Sequence, residues 1–176
     1  MRSSFCPTRG NLMLAACRNS RSGPLNSGGL AGERAGWPLP GFPDRAWAPA
    51  TVPAPAAEPG TTWYRTTFSL RVPRDQDTSV GLTIGDPAKP RSGGRYRVLV
   101  FLNGWNVGQY IGDVGPQHTF VLPTGILDPH GRNTLALAVT SDGGPGNGLE
   151  KVALTDLGTA RGGVPVRPVF SPGWRP

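Results

Sequence analysis

From Thr62 the chain alternates. Tyr64, Thr66, Phe68, Leu70 and Val72 fall on one side, and Trp63, Arg65, Thr67, Ser69 and Arg71 on the other. A period of two carried by aromatic and β-branched residues is the pattern of a strand with two distinct faces. Pro73 ends it, and Asp75-Gln76-Asp77 reads as a turn. Val80, Leu82 and Ile84 alternate again as a second strand. After a loop rich in Pro, Gly and charge (86–94), Arg95–Leu102 is a third strand, nearly continuously apolar from Val98. Asn103-Gly104 then predicts a two-residue hairpin, because a type I′ turn needs positive φ at both central residues. The return strand is Trp105–Ile111. Thr119–Leu122 is a short strand, Asp128-Pro129-His130-Gly131 is turn chemistry, and Thr134–Thr140 alternates with Leu135, Leu137 and Val139 inward. Leu149–Leu154 is the last clear strand. Seven to eight short strands between dense turns predict an all-β fold, an antiparallel β-sandwich or jelly roll.

The flanks have a different pattern. Residues 31–62 carry seven prolines and, among them, Trp37, Phe42 and Trp47. Disordered linkers are poor in aromatic residues, so this segment is expected to lie as an extended strap with its rings packed on a neighbour. Residues 1–29 mix Ser, Arg, Asn and Gly around one apolar patch, Leu12–Cys17. They are expected to be a disordered or spurious lead-in outside the fold. Leu14-Ala15-Ala16-Cys17 matches a lipoprotein-type cleavage box. The apolar run before it is interrupted by Arg9, Gly10 and Asn11, and an export signal needs about 7–15 apolar residues, so no export signal is expected. The domain is placed at 30–165, and residues 166–176 are read as an extended tail.

Composition narrows the classes. The 176 residues include 26 Gly and 20 Pro, the two least favourable residues inside a helix, so a helical bundle is excluded. No apolar run approaches the ~20 residues of a membrane-spanning helix, and no membrane partner is expected. The net charge of +7 would suggest nucleic acid, but it sits at the ends. Residues 60–160 hold nine basic against eight acidic residues, while 161–176 hold three Arg and no acid. A nucleic-acid surface clusters its cations on the folded body, so no nucleic-acid partner is expected. His118 and His130 are the only histidines, and Cys6 and Cys17 lie far from them in sequence. No metal site and no cofactor are expected. No phosphate loop and no Gly-x-Ser-x-Gly elbow occur. The three glutamates (33, 58 and 150) form no evident acid/base pair of the kind glycoside hydrolysis requires.

Several motifs carry a resemblance. Thr62-Trp63-Tyr64-Arg65-Thr66-Thr67-Phe68 resembles the opening strand of sugar-binding-type jelly rolls attached to glycoside hydrolases. Val100-Phe101-Leu102-Asn103-Gly104-Trp105-Asn106-Val107-Gly108-Gln109-Tyr110 is similar to their hairpin. Gly115-Pro116-Gln117 followed by Gly125-Ile126-Leu127 and Gly131–Val139 completes the series, and Gly36–Phe42 resembles the segment leading in. Together these resemble the C-terminal jelly-roll, galactose-binding-like domain of glycoside hydrolase family 35 β-galactosidases of the large microbial type, over about residues 30–165.

The resemblance implies an accessory domain of a secreted enzyme whose separate (β/α) barrel carries the catalytic glutamates. A barrel takes about 250 residues, so no catalytic residue transfers to this chain, which is expected to be a fragment and no enzyme on its own. Its implied partner is that barrel, with galactosides as a further ligand class. Trp105, beside the hairpin turn, is a candidate sugar platform or docking residue, and Gln117 and His118 are candidate hydroxyl partners. Trp63 and Tyr64 read as core or interface, and Asn103 as serving the turn alone. An autonomous carbohydrate-binding module is the second reading, and an independent hydrolase the third.

Overall fold

The computed structural model describes residues 14–19, 27–56, 58–162 and 166–175. The chain is an antiparallel β-sandwich. One sheet has six strands: β1 (Leu14–Asn19), β2 (Ala48–Ala50), β3 (Gly60–Ser69), β5 (Tyr96–Leu102), β6 (Trp105–Ile111) and β8 (Arg132–Ser141), in the order β2-β1-β3-β8-β5-β6. The other has three: β4 (Gln76–Ile84), β7 (Thr119–Val121) and β9 (Val152–Arg161), in the order β7-β4-β9. The described helix is α1 (Ser27–Arg34).

The alternation seen in the sequence builds the space between the sheets. Tyr64 and Leu70 meet Val80, Leu82 and Ile84 across it, with Val98, Val100, Leu102, Leu135, Leu137 and Val139 in the same cluster. The hairpin forms as its chemistry requires. Asn103 has φ 48° and Gly104 φ 88°, and Leu102 pairs with Trp105. At Gly104 a side chain would also run into Ser171.

The outer face of the larger sheet is a second core. Trp63 and Phe101 stack at 5.4 Å, and Ala136 and Ala138 are buried with them. Register explains the alanines. Ala138 lies between Trp63 and Leu99, and Ala136 lies between Arg65 and Phe101. Small residues on the central strand leave room for the rings on its neighbours.

Four elements depart from the pattern-based expectation. Strand β4 starts at Gln76, inside the stretch Asp75-Gln76-Asp77 read as a turn. Leu14–Asn19 pairs with both β2 and β3 as a strand of the larger sheet, although it lies inside the stretch 1–29 read as lying outside the fold. The rest of that stretch up to residue 26, including Cys6, lies outside the described residues. The strap opens with α1 and a run of turns (Trp37 N to Gly32 O, Leu39 N to Gly36 O), so it is compact where an extended path was expected. Strand β9 runs to Arg161, well beyond Leu154, because its second half pairs with Gln76–Ser79 through backbone groups that no hydrophobic pattern reports.

Candidate functional surfaces and family

Four regions carry polar or aromatic chemistry. In the first, the strap lies over the larger sheet. Trp37 meets Trp47 edge-on at 5.3 Å and Trp63 at 5.8 Å, and Phe42 meets Trp47 at 5.8 Å and Trp174 at 5.6 Å. Edge-to-face contact is the favoured geometry for such rings. The Gly32 position touches the Trp63 indole so closely that no side chain fits there. Beneath the strap Arg65 is 3% exposed. It donates from Nε to Asp44 Oδ2 at 3.1 Å, and from its terminal nitrogen Nη1 to the carbonyls of Trp37 and Leu39. Burial pulls the Arg65 pKa down, and Asp44 opposes that shift.

The second region is a hub at the hairpin. The Asn103 amide donates to Ile126 O at 2.8 Å and to Asn133 Oδ1 at 2.9 Å, and its Oδ1 accepts from Thr134 N at 2.8 Å. Its carbonyl accepts from the Ser171 hydroxyl at 2.8 Å. Asn103 therefore ties the turn to the Ile126 loop, to the start of β8 and to the C-terminal segment, a larger role than serving the turn alone. That segment is extended and attached: Val169 N donates to Gly125 O, and Trp174 N to Pro40 O.

The third region holds His118. It is 4% exposed, and its Nδ1 lies 2.8 Å from the carbonyl oxygen of Ile84. A carbonyl only accepts, so Nδ1 carries the hydrogen. Nε2 is buried without a protein partner. The ring packs on Tyr110 at 5.5 Å. Tyr96 and Tyr110 both donate to Glu150 Oε2, at 2.7 and 3.4 Å. Both phenol pKa values are raised, first by burial. Glu150 adds to the shift through hydrogen bonding and its negative charge. The Tyr96–Tyr110–Glu150 group was not legible in the sequence, because its members are 14 and 40 residues apart on different elements. A half-buried Glu after a Gly-rich loop was the one available signal.

The sequence-predicted residues do not gather. Trp105 is 45% exposed at the start of β6, and Gln117 is exposed. His118 contacts Tyr110, near the far end of the same strand. Five residues at about 3.3 Å each place Trp105 roughly 16 Å from that end. His118 is enclosed, with one nitrogen committed to backbone.

The fourth region is the outer face of the smaller sheet. Val80, Leu82 and Ile84 point inward, so Gly81 and Thr83 face outward. Their register partners Val121, Thr119, Thr155 and Ala153 share that face. Thr83 Oγ1 lies 2.9 Å from Thr119 Oγ1 and 2.6 Å from Thr155 Oγ1. Val121 and Leu157 are 59% and 42% exposed.

Among the described residues, no group of three or more His, Cys, Asp or Glu could hold a metal ion. Among them, too, no helix is long and apolar enough to cross a membrane, which says nothing of strands.

Comparison with known proteins places the chain. The chain is 37% identical to a probable β-galactosidase C of Neosartorya fischeri over 158 residues, covering 87% of this chain and 16% of that protein. It is 35% identical to a probable β-galactosidase E of Aspergillus fumigatus over 172 residues, covering 95% and 17%. It is 38% identical to β-galactosidase A of Aspergillus niger over 145 residues, covering 81% and 14%. The chain thus spans about a sixth of the length of these relatives. In structure it is similar to part of a β-glucuronidase of an uncultured Clostridium, with a TM-score of 0.51 at 20% identity over 74% of this chain and 21% of that one. That likeness speaks to the fold alone. The family model for the β-galactosidase second all-β domain matches residues 32–144, from the strap through β8, and the chain belongs to that family.

Proposed function

We propose that this chain is a non-catalytic β-sandwich domain of a β-galactosidase-type glycoside hydrolase, built to pack against a catalytic (β/α) barrel. The observation that supports this most is the match to an all-β accessory domain that makes up about a sixth of each curated relative. The carboxylate arrangement agrees with it. Retaining and inverting glycosidases need two carboxyl groups flanking the scissile bond, whereas Glu150 is engaged by two tyrosine hydroxyls. The test is hydrolysis of a chromogenic galactoside by the purified chain, alone and with a β-galactosidase barrel. No turnover alone, together with a stable complex with the barrel, is expected. Turnover by the chain itself would refute the reading.

A second reading, direct contact with galactosides, is favoured by one feature, the exposed indole of Trp105. A sugar stacked there would quench tryptophan fluorescence in a saturable way, and Trp105→Ala would abolish the response. Gln117 is exposed but lies at the other end of β6 from Trp105, and His118 is enclosed, so this reading rests on Trp105. A folded chain that ignores galactose, galactosides and galactan would remove this reading and leave the first intact.

A further inference from the structure

Residues 166–175 lie across three separate parts of the chain. Val169 N donates to the carbonyl of Gly125, Ser171 Oγ to that of Asn103 at 2.8 Å, and Trp174 N to that of Pro40 at 2.9 Å. The segment buries little apolar surface of its own, since Val166, Val169 and Phe170 are exposed. Its side-chain grip on the strap is one ring. Trp174 meets Phe42 edge-on at 5.6 Å and closes over Gly36, where a Cβ would lie 2.5 Å from the indole Cδ1. From Phe42 the contact runs on without a break. Phe42 touches Trp47, Trp47 touches Trp37, Trp37 touches Trp63, and Trp63 stacks on Phe101. The Arg65 guanidinium also lies over the Phe42 ring, 5.5 Å from its centre, while it holds Asp44 and the carbonyls of Trp37 and Leu39. Phe42 is the joint between the C-terminal segment and the second core.

We propose that residues 166–175 are a latch, and that latch and strap open together as one unit while the sandwich stays folded, uncovering the Trp63 and Phe101 rings. The division follows from where the hydrogen bonds go. Residues 31–47 are joined to one another by local bonds: Ala35 N to Ala31 O, Trp37 N to Gly32 O, Phe42 N to Leu39 O and Trp47 N to Asp44 O. The strap therefore keeps its own shape when it lifts. It is joined to the sheet by its rings and by Arg65, and the chain enters a strand ladder only at Ala48. The sandwich is held instead by long backbone ladders, β3 with β8, β5 with β8 and β4 with β9. Segments with fewer buried contacts and fewer ladder bonds open at a lower free energy than such ladders. The run of rings couples the two parts. Each edge-to-face pair stabilises beyond its buried area, so the strap loses support at its outer edge when Trp174 leaves Phe42.

The test is hydrogen exchange of the full chain in urea concentrations below the unfolding transition. Amides of 35–47 and 169–174 are expected to share one opening free energy, lower than that of 80–84 and 135–139. Trp174→Ala is expected to speed exchange at 35–47 about tenfold and to leave 80–84 and 135–139 unchanged. Phe170→Ala, which removes an exposed ring from the same segment, is expected to leave both regions as in wild type. If 35–47 exchanges only together with 80–84 and 135–139, no separate unit exists and the proposal fails. An even rise across the whole chain in Trp174→Ala would overturn it in the same way. If that variant leaves 35–47 unchanged, the segment is a passenger on the strap and no latch. Should Trp174→Ala not fold, the wild-type chain still decides: opening of 169–174 well below that of 35–47 overturns the latch, and a shared opening supports it.

Discussion

The two outward faces of this sandwich come from the same kind of strand and end in opposite states. On the larger sheet, every other residue of β3, β5 and β8 points away from the main core, yet Trp63, Phe101, Ala136 and Ala138 are as buried as the core itself. The strap supplies the other side of that layer, with Trp37 and Trp47 over the sheet and Arg65 and Asp44 joining the two. On the smaller sheet the equivalent positions are Gly, Thr, Ala, Val and Leu; Gly81 and Thr83 on the central strand are covered by their neighbours, and Val121 and Leu157 at its sides remain in contact with water. The difference shows that outward alternation in a strand does not mean exposure. What differs is the residues: the larger sheet turns rings outward that the strap covers, whereas the smaller sheet turns outward only small residues and two exposed aliphatic ones.

The comparison can be broken most severely at Trp63. Trp63→Ala removes a ring buried on both sides, and a loss of about 3–5 kcal/mol is expected, measured by urea unfolding. A loss below about 1 kcal/mol would mean that the strap is not a true second core. A smaller effect is expected at Asp44. Asp44→Ala takes the carboxylate from a guanidinium that keeps two carbonyl acceptors, so about 1–3 kcal/mol should be lost, visible as a lower urea midpoint. The smallest effect belongs to the other face. Leu157→Lys on an exposed strand position should change the stability of the isolated chain by no more than about 0.5 kcal/mol. A large loss there would show that the smaller sheet's face is already covered and would erase the contrast.

Much of the fold was legible because strand periodicity reports burial on one face. The alternation of Tyr64 to Val72, the triplet Val80, Leu82 and Ile84, and Asn103-Gly104 each led to the element observed. The aromatic residues of the strap likewise announced packing. What pattern could not reach was pairing without a sustained alternation of apolar residues. Leu14–Asn19 is short, and part of it is polar, yet it fills the space between β2 and β3. Residues 155–161 carry Thr, Asp and Gly, but still complete a ladder with β4. The candidate site was less legible. Trp105 is exposed as a sugar platform or docking residue would be, whereas His118 is enclosed. A His two residues after a Pro in a turn-rich stretch says nothing about the wall that closes over it.

By itself the sequence determined the class of fold, the positions of most strands and turns, and, through its motifs, the resemblance to an all-β domain of the β-galactosidases. These follow from local rules: side-chain period, turn stereochemistry and residue type. Only the tertiary structure decided how each outward face is finished, that Asn103 gathers a loop, the start of β8 and the C-terminal segment, and that Tyr96, Tyr110 and Glu150 meet. Those outcomes depend on residues many positions apart arriving at one place. Contact of that kind is set by the register and stacking of whole sheets, which a linear pattern does not contain.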